Sequence, residues 1–539
     1  MPIPILLSTL NAKYPHSAFG LRYLHANLQE LRSQARIEEF TIQQKPRDIV
    51  ERILALNPTI VGFGVYIWNT TETEQVVSIL KRVRPELIVV LGGPEVSYET
   101  EGQAIVDRAD FVIPGEADHA FYRFCRDYLG GGRLPSKKVL TPEIPPILEI
   151  ESPYALYTDA DIKNRVLYVE ASRGCPYKCE YCLSSLDKSV RGFDLELFLA
   201  DMQKLLDRGA RQFKFVDRTF NLSVKTSSRI LEFFLERISL GLFLHFEMVP
   251  DRLPPELKTL ISKFPLGALQ FEIGIQTWSP QVAALVSRRQ DYSKVRENFA
   301  YLNEETGVHL HADLIVGLPG ETLTSFAEGF DAVTGLGPHE VQVGILKRLK
   351  GTPIVRHDQE WGMVYQEHPP FQILKTRTMD FETLQKMARF SKFWDLYANS
   401  GNFLKTMDLL IGERGQSSAP ATVQGQVPSR FQAFWDFSEF LSARHAQSHS
   451  IALLNLVESF WVYLTDHRQL PREQVRRSLA QDYAGTVKRD LPAYLRSQDP
   501  VEGVARLKGS SSPSSEESAL PARQRRHHEL PPSPMKDRN

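Results

Sequence analysis

The chain has 539 residues, 64 basic and 65 acidic, for a formal net charge of −1, so no global field points to nucleic acid or an anionic membrane surface. No apolar run approaches the ~18 residues of a membrane span, MPIPILLSTL lacks the charged start of a signal peptide, and four cysteines, three of them crowded, do not make a disulfide framework. Length is a soft prior for roughly three or four domains, and the expected location is cytoplasmic.

Residues 1–130 alternate apolar strands, at 3–10, 37–42, 59–65, 87–91 and 110–113, with amphipathic helices. Leu21, Leu24, Leu28 and Leu31 share one helix face, and Ile49, Ile53, Leu54 and Leu56 give the next a buried side. The pattern predicts a doubly wound parallel sheet, whose ligand sits beyond the carboxyl ends of its strands. Three of those ends carry unusual residues: NAKYPHSAFG with His16, GVYIWN with Tyr66 and Trp68, and LGGPEVS with Gly92 and Gly93. The dinucleotide fingerprint and the P-loop are both missing, which argues against a nicotinamide or ATP domain. Cys125 falls at helical spacing with Phe121, Phe124 and Tyr128 and reads as core.

Residues 131–164 shift to glycine, proline and charge, and read as a linker over the surface. Strand-helix alternation then resumes over residues 165–350, with strands at 166–171, 212–216, 243–248, 269–274, 308–316 and 341–346. Directly after the first comes CPYKCEYC, with Cys175, Cys179 and Cys182 at CxxxCxxC spacing. Thiolates hold iron-sulfur clusters, usually four to a cubane, so three leave one iron open to a small chelating molecule. The alternatives are a zinc site, for which paired CxxC knuckles are the usual spacing, or three cysteines together by accident.

CPYKCEYC resembles the cluster motif of the radical SAM superfamily, with Tyr181 at that family's aromatic position. The resemblance implies a 4Fe-4S cluster on the three cysteines, chelated S-adenosylmethionine, and a partial (β/α)6 barrel with its chemistry at the carboxyl ends of the strands. In FVDRTFN, FEIGIQTWSP and HADLIVGLPGE, the residues implied to contact S-adenosylmethionine are Asp217, Glu272, Gln276, Asp313 and Ile315. Asp217 replaces the second-strand GGE of other members, which leaves the substrate amino group as another partner for its carboxylate. For Glu272 and Asp313 the alternative is a pair of barrel-interior polar residues bonded to each other or to water.

Residues 1–130 resemble the cobalamin-binding domain that precedes many such cores, through Gly92, Gly93 and PGEAD at 114–118. The resemblance implies cobalamin against Tyr66, Trp68, Gly92, Gly93 and His16. The lower-ligand pattern DxHxxG is absent, which argues against a direct bond from His16 to cobalt; the alternative is a loop histidine contacting phosphate or solvent. KGTP at 350–353 resembles a loop common in cobalamin-binding members, and Arg173, in SRGCP, reads as a family feature or a structural ion pair.

Residues 351–506 predict helices, the first capped by Asp380 with Phe381, Leu384, Met387, Phe390, Phe393 and Tyr397 on one face. This part resembles a helical domain of unknown function. Residues 507–539 are serine, proline and charge, expected to be disordered, with the RQRRHH run solvated. The implied activity is methyl transfer to an unactivated carbon by a 5'-deoxyadenosyl radical mechanism, with an unidentified small-molecule or natural-product substrate and a flavodoxin- or ferredoxin-type electron donor. The alternatives are a non-methylating cyclase or rearrangement enzyme and a non-catalytic cobalamin or iron-sulfur sensor. A methylthiotransferase would need a second three-cysteine cluster, for which only Cys125 remains.

Overall fold

The computed structural model describes residues 3–413, 429–486, 491–496 and 521–528. The chain divides into two units, Met1–Arg218 with Lys347–Arg356 and Tyr365–Gln372, and Thr219–Leu346 with His357–Val364 and Ile373–Asn539.

The first unit opens on five strands, β1 (Ile5–Asn11), β2 (Ala35–Thr41), β3 (Ile60–Gly64), β4 (Ile88–Gly92) and β5 (Phe111–Val112). They pair in parallel in the order β2-β1-β3-β4-β5. Strands covered on both faces read as continuous apolar runs. Alternate residues accordingly enter opposite layers, Leu6 and Leu10 with Phe63 and Val89, and Ile5 and Leu7 with Ile60 and Val90. The strand order reverses at β1 and β3, which is where a doubly wound sheet opens a crevice. Cys125 is fully buried in the second layer.

The stretch 131–164 departs from the expected surface linker. Tyr154, Tyr157 and Asp161 are buried, and Thr158 and Asp161 form a reciprocal capping box on the helix Asp159–Asn164. Asp161 and Glu39 then share Arg22 at 3.0 and 2.8 Å. Proline-rich composition marks where regular structure stops; it does not register two buried tyrosines or a capped helix that buries its Asp161. Beyond it, β6 (Leu167–Val169) and β7 (Gln212–Phe215) pair in parallel, joined through the helix Leu195–Asp207.

The second unit carries β8 (Phe243–Met248), β9 (Leu269–Gln276), β10 (His309–Val316) and β11 (Glu340–Ile345), again parallel. The expected six core strands are therefore present, two in the first unit and four in the second. Helices follow, at Phe381–Trp394, Leu404–Ile411, Arg430–Arg444, Leu453–Val462 and Arg472–Thr486. Asp380 caps the first, accepting from the Thr383 N–H at 2.8 Å. Phe330, on the barrel helix Leu323–Gly335, meets Trp394 edge-on at 4.8 Å, and Phe390 stacks on Phe431 at 5.1 Å, so aromatic burial joins the helical region to the core. No described helix is long and apolar enough to cross a membrane.

Residues 507–520 and 529–539 of the expected disordered tail lie outside the described residues. Residues 522–528 do not match the expectation of a solvated run. They form the helix Ala522–His528, with Gln524 and His527 buried. Arg523 reaches Glu340 at 2.9 Å and Asp395 at 2.6 Å, and His527 and Arg526 bond the carbonyls of Asn399 and Ser400. Composition counted the charges of this run without the acceptors that receive them.

Candidate functional site

At the end of β6 the chain turns through Ser172–Arg173, which pairs antiparallel with Arg191–Gly192 and closes the loop between them. All three clustered cysteines lie in this loop. Cys175 and Cys179 are buried and Cys182 is half-buried. The Cys175 N–H donates to the Asp187 carbonyl and the Cys182 N–H to the Cys179 carbonyl, each at 3.1 Å. Gly174 is held at φ +91°, where a Cβ would stand 1.9 Å from the Ser189 carbonyl oxygen, so only glycine passes there. Asp217, beyond β7, accepts from the Ala171 N–H at 3.0 Å and the Ser172 hydroxyl at 2.6 Å. Burial pushes its carboxyl up to about 7 against those bonds. In this structure Asp217 braces the entry to the cysteine loop.

Arg173 is the knot of the site. Its guanidinium lies 2.9 Å from Glu170, 2.9 Å from Glu116 and 3.0 Å from Asp118, over the Tyr23 ring at 4.4 Å. Burial opposes the charge, but Glu170 and Asp118 hold the guanidinium well above its ordinary pKa. Glu116 and Asp118 belong to PGEAD, and Glu116 also binds Arg191. Arg173 is thus an ion-pair residue, whose partners lie after β5 and at the end of β6.

A cavity of about 230 Å³ opens beside this knot, lined by Gly64 and Tyr66, by Gly92 and Gly93, by Gly115 to Asp118, and by Arg173 itself. Glycine makes its rim. Gly93, at φ +100°, would put a Cβ 2.5 Å from the Val65 carbonyl oxygen, whereas a Cβ on Gly115 meets nothing within 4 Å. Tyr66 stacks on Trp68 at 4.5 Å, and Trp68 is 45% exposed. Trp68 and His16 are not among the lining residues. His16 instead bonds the Tyr168 hydroxyl through Nδ1 at 2.7 Å and has its pKa lowered by burial and by Lys214 and Lys13.

The KGTP loop belongs to the same unit. Lys350 Nζ stands 2.7 Å from Glu95 Oε1, the Gly351 N–H donates to Glu99 at 2.9 Å, and Arg348 pairs with Glu99 at 2.9 Å. The loop continues to the cysteines: the Ile354 N–H donates to the Glu180 carbonyl at 3.0 Å, and Arg356 pairs with the Glu180 carboxylate. Both motifs were visible in the sequence, but nothing in either names the other as partner.

In the second unit, β9 and β10 turn a half-buried polar face inward. Glu272, Gly274 and Gln276 alternate along β9, and His311, Asp313 and Ile315 along β10. Register places Glu272 beside His311 and Gly274 beside Asp313, with an irregularity between Gly274 and Gln276. Gln276 has φ +73° and folds its amide over Gly274. Glu272 Oε2 meets His245 Nε2 at 2.9 Å, and Asp313 meets His311 at 3.3 Å. Burial opposes a charge on His311, yet Asp313, Glu340 and Glu272 raise its pKa. Glu321, closing HADLIVGLPGE, is buried; burial pushes its carboxyl up to about 8 against a 3.2 Å bond from the Thr277 hydroxyl. Sequence reasoning missed Glu321, because a carboxylate at a turn gives no sign of burial.

Three soft ligands on a loop with its backbone fixed, at the carboxyl end of a parallel core strand, suit a cluster with one open iron. The glycine-rimmed cavity suits a bulky group approaching backbone. Together these features define a radical SAM core preceded by a corrinoid-type domain. Family models match in the same order: the B12 binding domain over residues 6–124, the Radical SAM superfamily over 169–333, and a protein family of unknown function (DUF4080) over 359–518. Residues 6–124 thus match a B12 binding domain and residues 169–333 a radical SAM domain, and these domains imply cobalamin, a 4Fe-4S cluster and S-adenosylmethionine.

Among curated relatives, the chain is 24% identical over 413 residues to the cobalamin-dependent radical SAM methyltransferase TokK of Streptomyces tokunonensis, covering 68% of this chain and 58% of that one. It is 23% identical over 320 residues to the 2-(S-pantetheinyl)-carbapenam-3-carboxylate methyltransferase of Streptantibioticus cattleyicolor, covering 53% and 46%. The chain thus spans about half the length of these two relatives. Its fold is similar to the cobalamin-dependent S-adenosylmethionine radical enzyme OxsB with aqua-cobalamin bound, at TM-score 0.60 and 13% identity over 89% of this chain and 79% of that one.

Proposed function

We propose that this protein is a cobalamin-dependent radical SAM methyltransferase acting on an unactivated carbon of a small-molecule substrate. The observation that carries the reading is Arg173. It lines the glycine-rimmed cavity and stands one residue before the glycine that opens the cysteine loop, so the two cofactor-binding faces share one buried ion-pair knot. Two methyltransferase relatives, one of them named as a cobalamin-dependent radical SAM enzyme, support the reaction type.

When bound, the cofactors supply a 5'-deoxyadenosyl radical that removes a hydrogen atom and a corrinoid methyl donor. The chain's share is binding, orientation and exclusion of water. Cys175, Cys179 and Cys182 hold the cluster, and Tyr181 lies within their loop. Glu272, Gln276, Asp313 and Ile315 orient S-adenosylmethionine from the inward face of β9 and β10. Gly92, Gly93 and Tyr66 receive the corrinoid, with Trp68 stacked behind Tyr66. The electron comes from a flavodoxin- or ferredoxin-type donor in a reducing, cytoplasmic setting. The helical region after the core selects the substrate.

The test is an anaerobic incubation of reduced, cobalamin-loaded protein with S-adenosylmethionine deuterated at its methyl group and extracts of the source organism. A product carrying the trideuteromethyl group, formed together with 5'-deoxyadenosine, supports methyl transfer. 5'-Deoxyadenosine with an unlabelled product would replace it with a cyclisation or rearrangement.

A further inference from the structure

Away from the cysteines, the second unit gathers three imidazoles at the amino-terminal edge of its strands. His309 opens β10, His339 immediately precedes β11, and His528 ends the helix Ala522–His528. One ring nitrogen of each lies within 4.8 Å of the corresponding atoms of the other two. His309 Nδ1 and His528 Nε2 are 3.3 Å apart. Two nitrogens bound at about 2.0–2.1 Å to one tetrahedral zinc stand at roughly that separation.

The surroundings also suit a metal. His309 Nε2 faces the buried Glu340 Oε1 at 3.0 Å, which fixes its proton there and turns the Nδ1 lone pair toward His528. A carboxylate behind a ligating histidine is the usual outer partner that orients the ring and raises its basicity. Arg523 neutralises the other Glu340 oxygen at 2.9 Å. The Leu310 N–H donates to His339 Nδ1 at 3.1 Å, so coordination by His339 takes a small rotation of that ring. His339 and His528 also line an open cavity of about 510 Å³, which leaves room for water as a fourth ligand.

We propose that His309, His339 and His528 form a binding site for a divalent transition metal of the zinc class, and that the metal clamps the C-terminal helix to the amino-terminal edge of the core strands. Three neutral imidazoles with one open position suit zinc. The edge lies at the end of the strands opposite the chemistry, where a barrel invests in stability.

The experiment uses tag-free, full-length protein with its iron-sulfur cluster reconstituted, so that the cysteines are occupied. Zinc is added, excess is removed by gel filtration, and zinc is counted per chain beside iron. The expected result is one zinc per chain with nitrogen and oxygen but no sulfur ligands by zinc X-ray absorption, lost in His528→Ala while iron stays constant. A chain ending at residue 520 removes the same ligand together with the Arg523 ion pairs to Glu340 and Asp395, and is expected to lose zinc as well. Zinc retained in both variants, no stoichiometric zinc in the parent protein, or sulfur in the zinc shell would overturn the proposal.

Discussion

Arg173 and Asp118 meet at 3.0 Å, joining the residue just ahead of the cysteine loop to the last loop of the cobalamin-type sheet. Glu116 and Glu170 complete the knot at 2.9 Å each. Removing one side of a buried charge cluster leaves the other without compensation, at ~3–5 kcal/mol. Arg173→Met is therefore expected to lower the melting temperature by several degrees and reduce both iron and corrinoid retention. Asp118→Asn, which leaves both glutamates in place, should do less. Calorimetry with metal and corrinoid counts on the two variants checks this ranking.

Gly174→Ala isolates the loop itself. The added Cβ meets the Ser189 carbonyl at 1.9 Å in a left-handed backbone, so the turn into Cys175 must shift. Iron per chain after reconstitution should fall severalfold, with corrinoid retention unchanged. Full iron incorporation in this variant would mean that the loop tolerates a different entry.

Lys350 and Glu95 offer a cycle of substitutions. Glu95 is 4% exposed, and burial raises its carboxyl pKa although Lys350 lowers it. Lys350→Met should destabilise by ~3–5 kcal/mol, because the carboxylate stays buried without its cation. Lys350→Met with Glu95→Gln should recover most of that loss. Denaturant unfolding of both variants and the parent measures the coupling, which additive effects would disprove.

Glu321 predicts a pH dependence. Its folded pKa is raised to about 8 from the ordinary 4.5, so the folded state holds a proton that the unfolded state releases. The associated stability is complete below about pH 4.5 and is lost as pH rises toward 8, at roughly 1.4 kcal/mol per unit at most. Glu321→Gln, which keeps the neutral shape, should flatten the decline in melting temperature between pH 5 and 8, a range set by those two values. An unchanged profile would show that the carboxylate titrates normally.

The sequence made the strands legible because their signal is local. Continuous apolar runs marked β1, β3 and β4, and CPYKCEYC marked the end of β6. Long-range charge pairing was not legible. SRGCP and PGEAD were each visible, as were KGTP and LGGPE, but the bonds from Arg173 to Asp118 and from Lys350 to Glu95 depend on a fold that places distant loops together. Residues 522–528 misled for the converse reason. A dense positive run reads as solvated until Glu340, Asp395 and the carbonyls of Asn399 and Ser400 supply its partners.

The most direct test is an anaerobic assay of reconstituted, dithionite-reduced protein with S-adenosylmethionine and cobalamin, against a Cys179→Ala control. 5'-Deoxyadenosine from the parent protein alone, with corrinoid retained through gel filtration by both, is the predicted result. Corrinoid retained without any 5'-deoxyadenosine across candidate substrates would contradict the account and indicate a cofactor sensor.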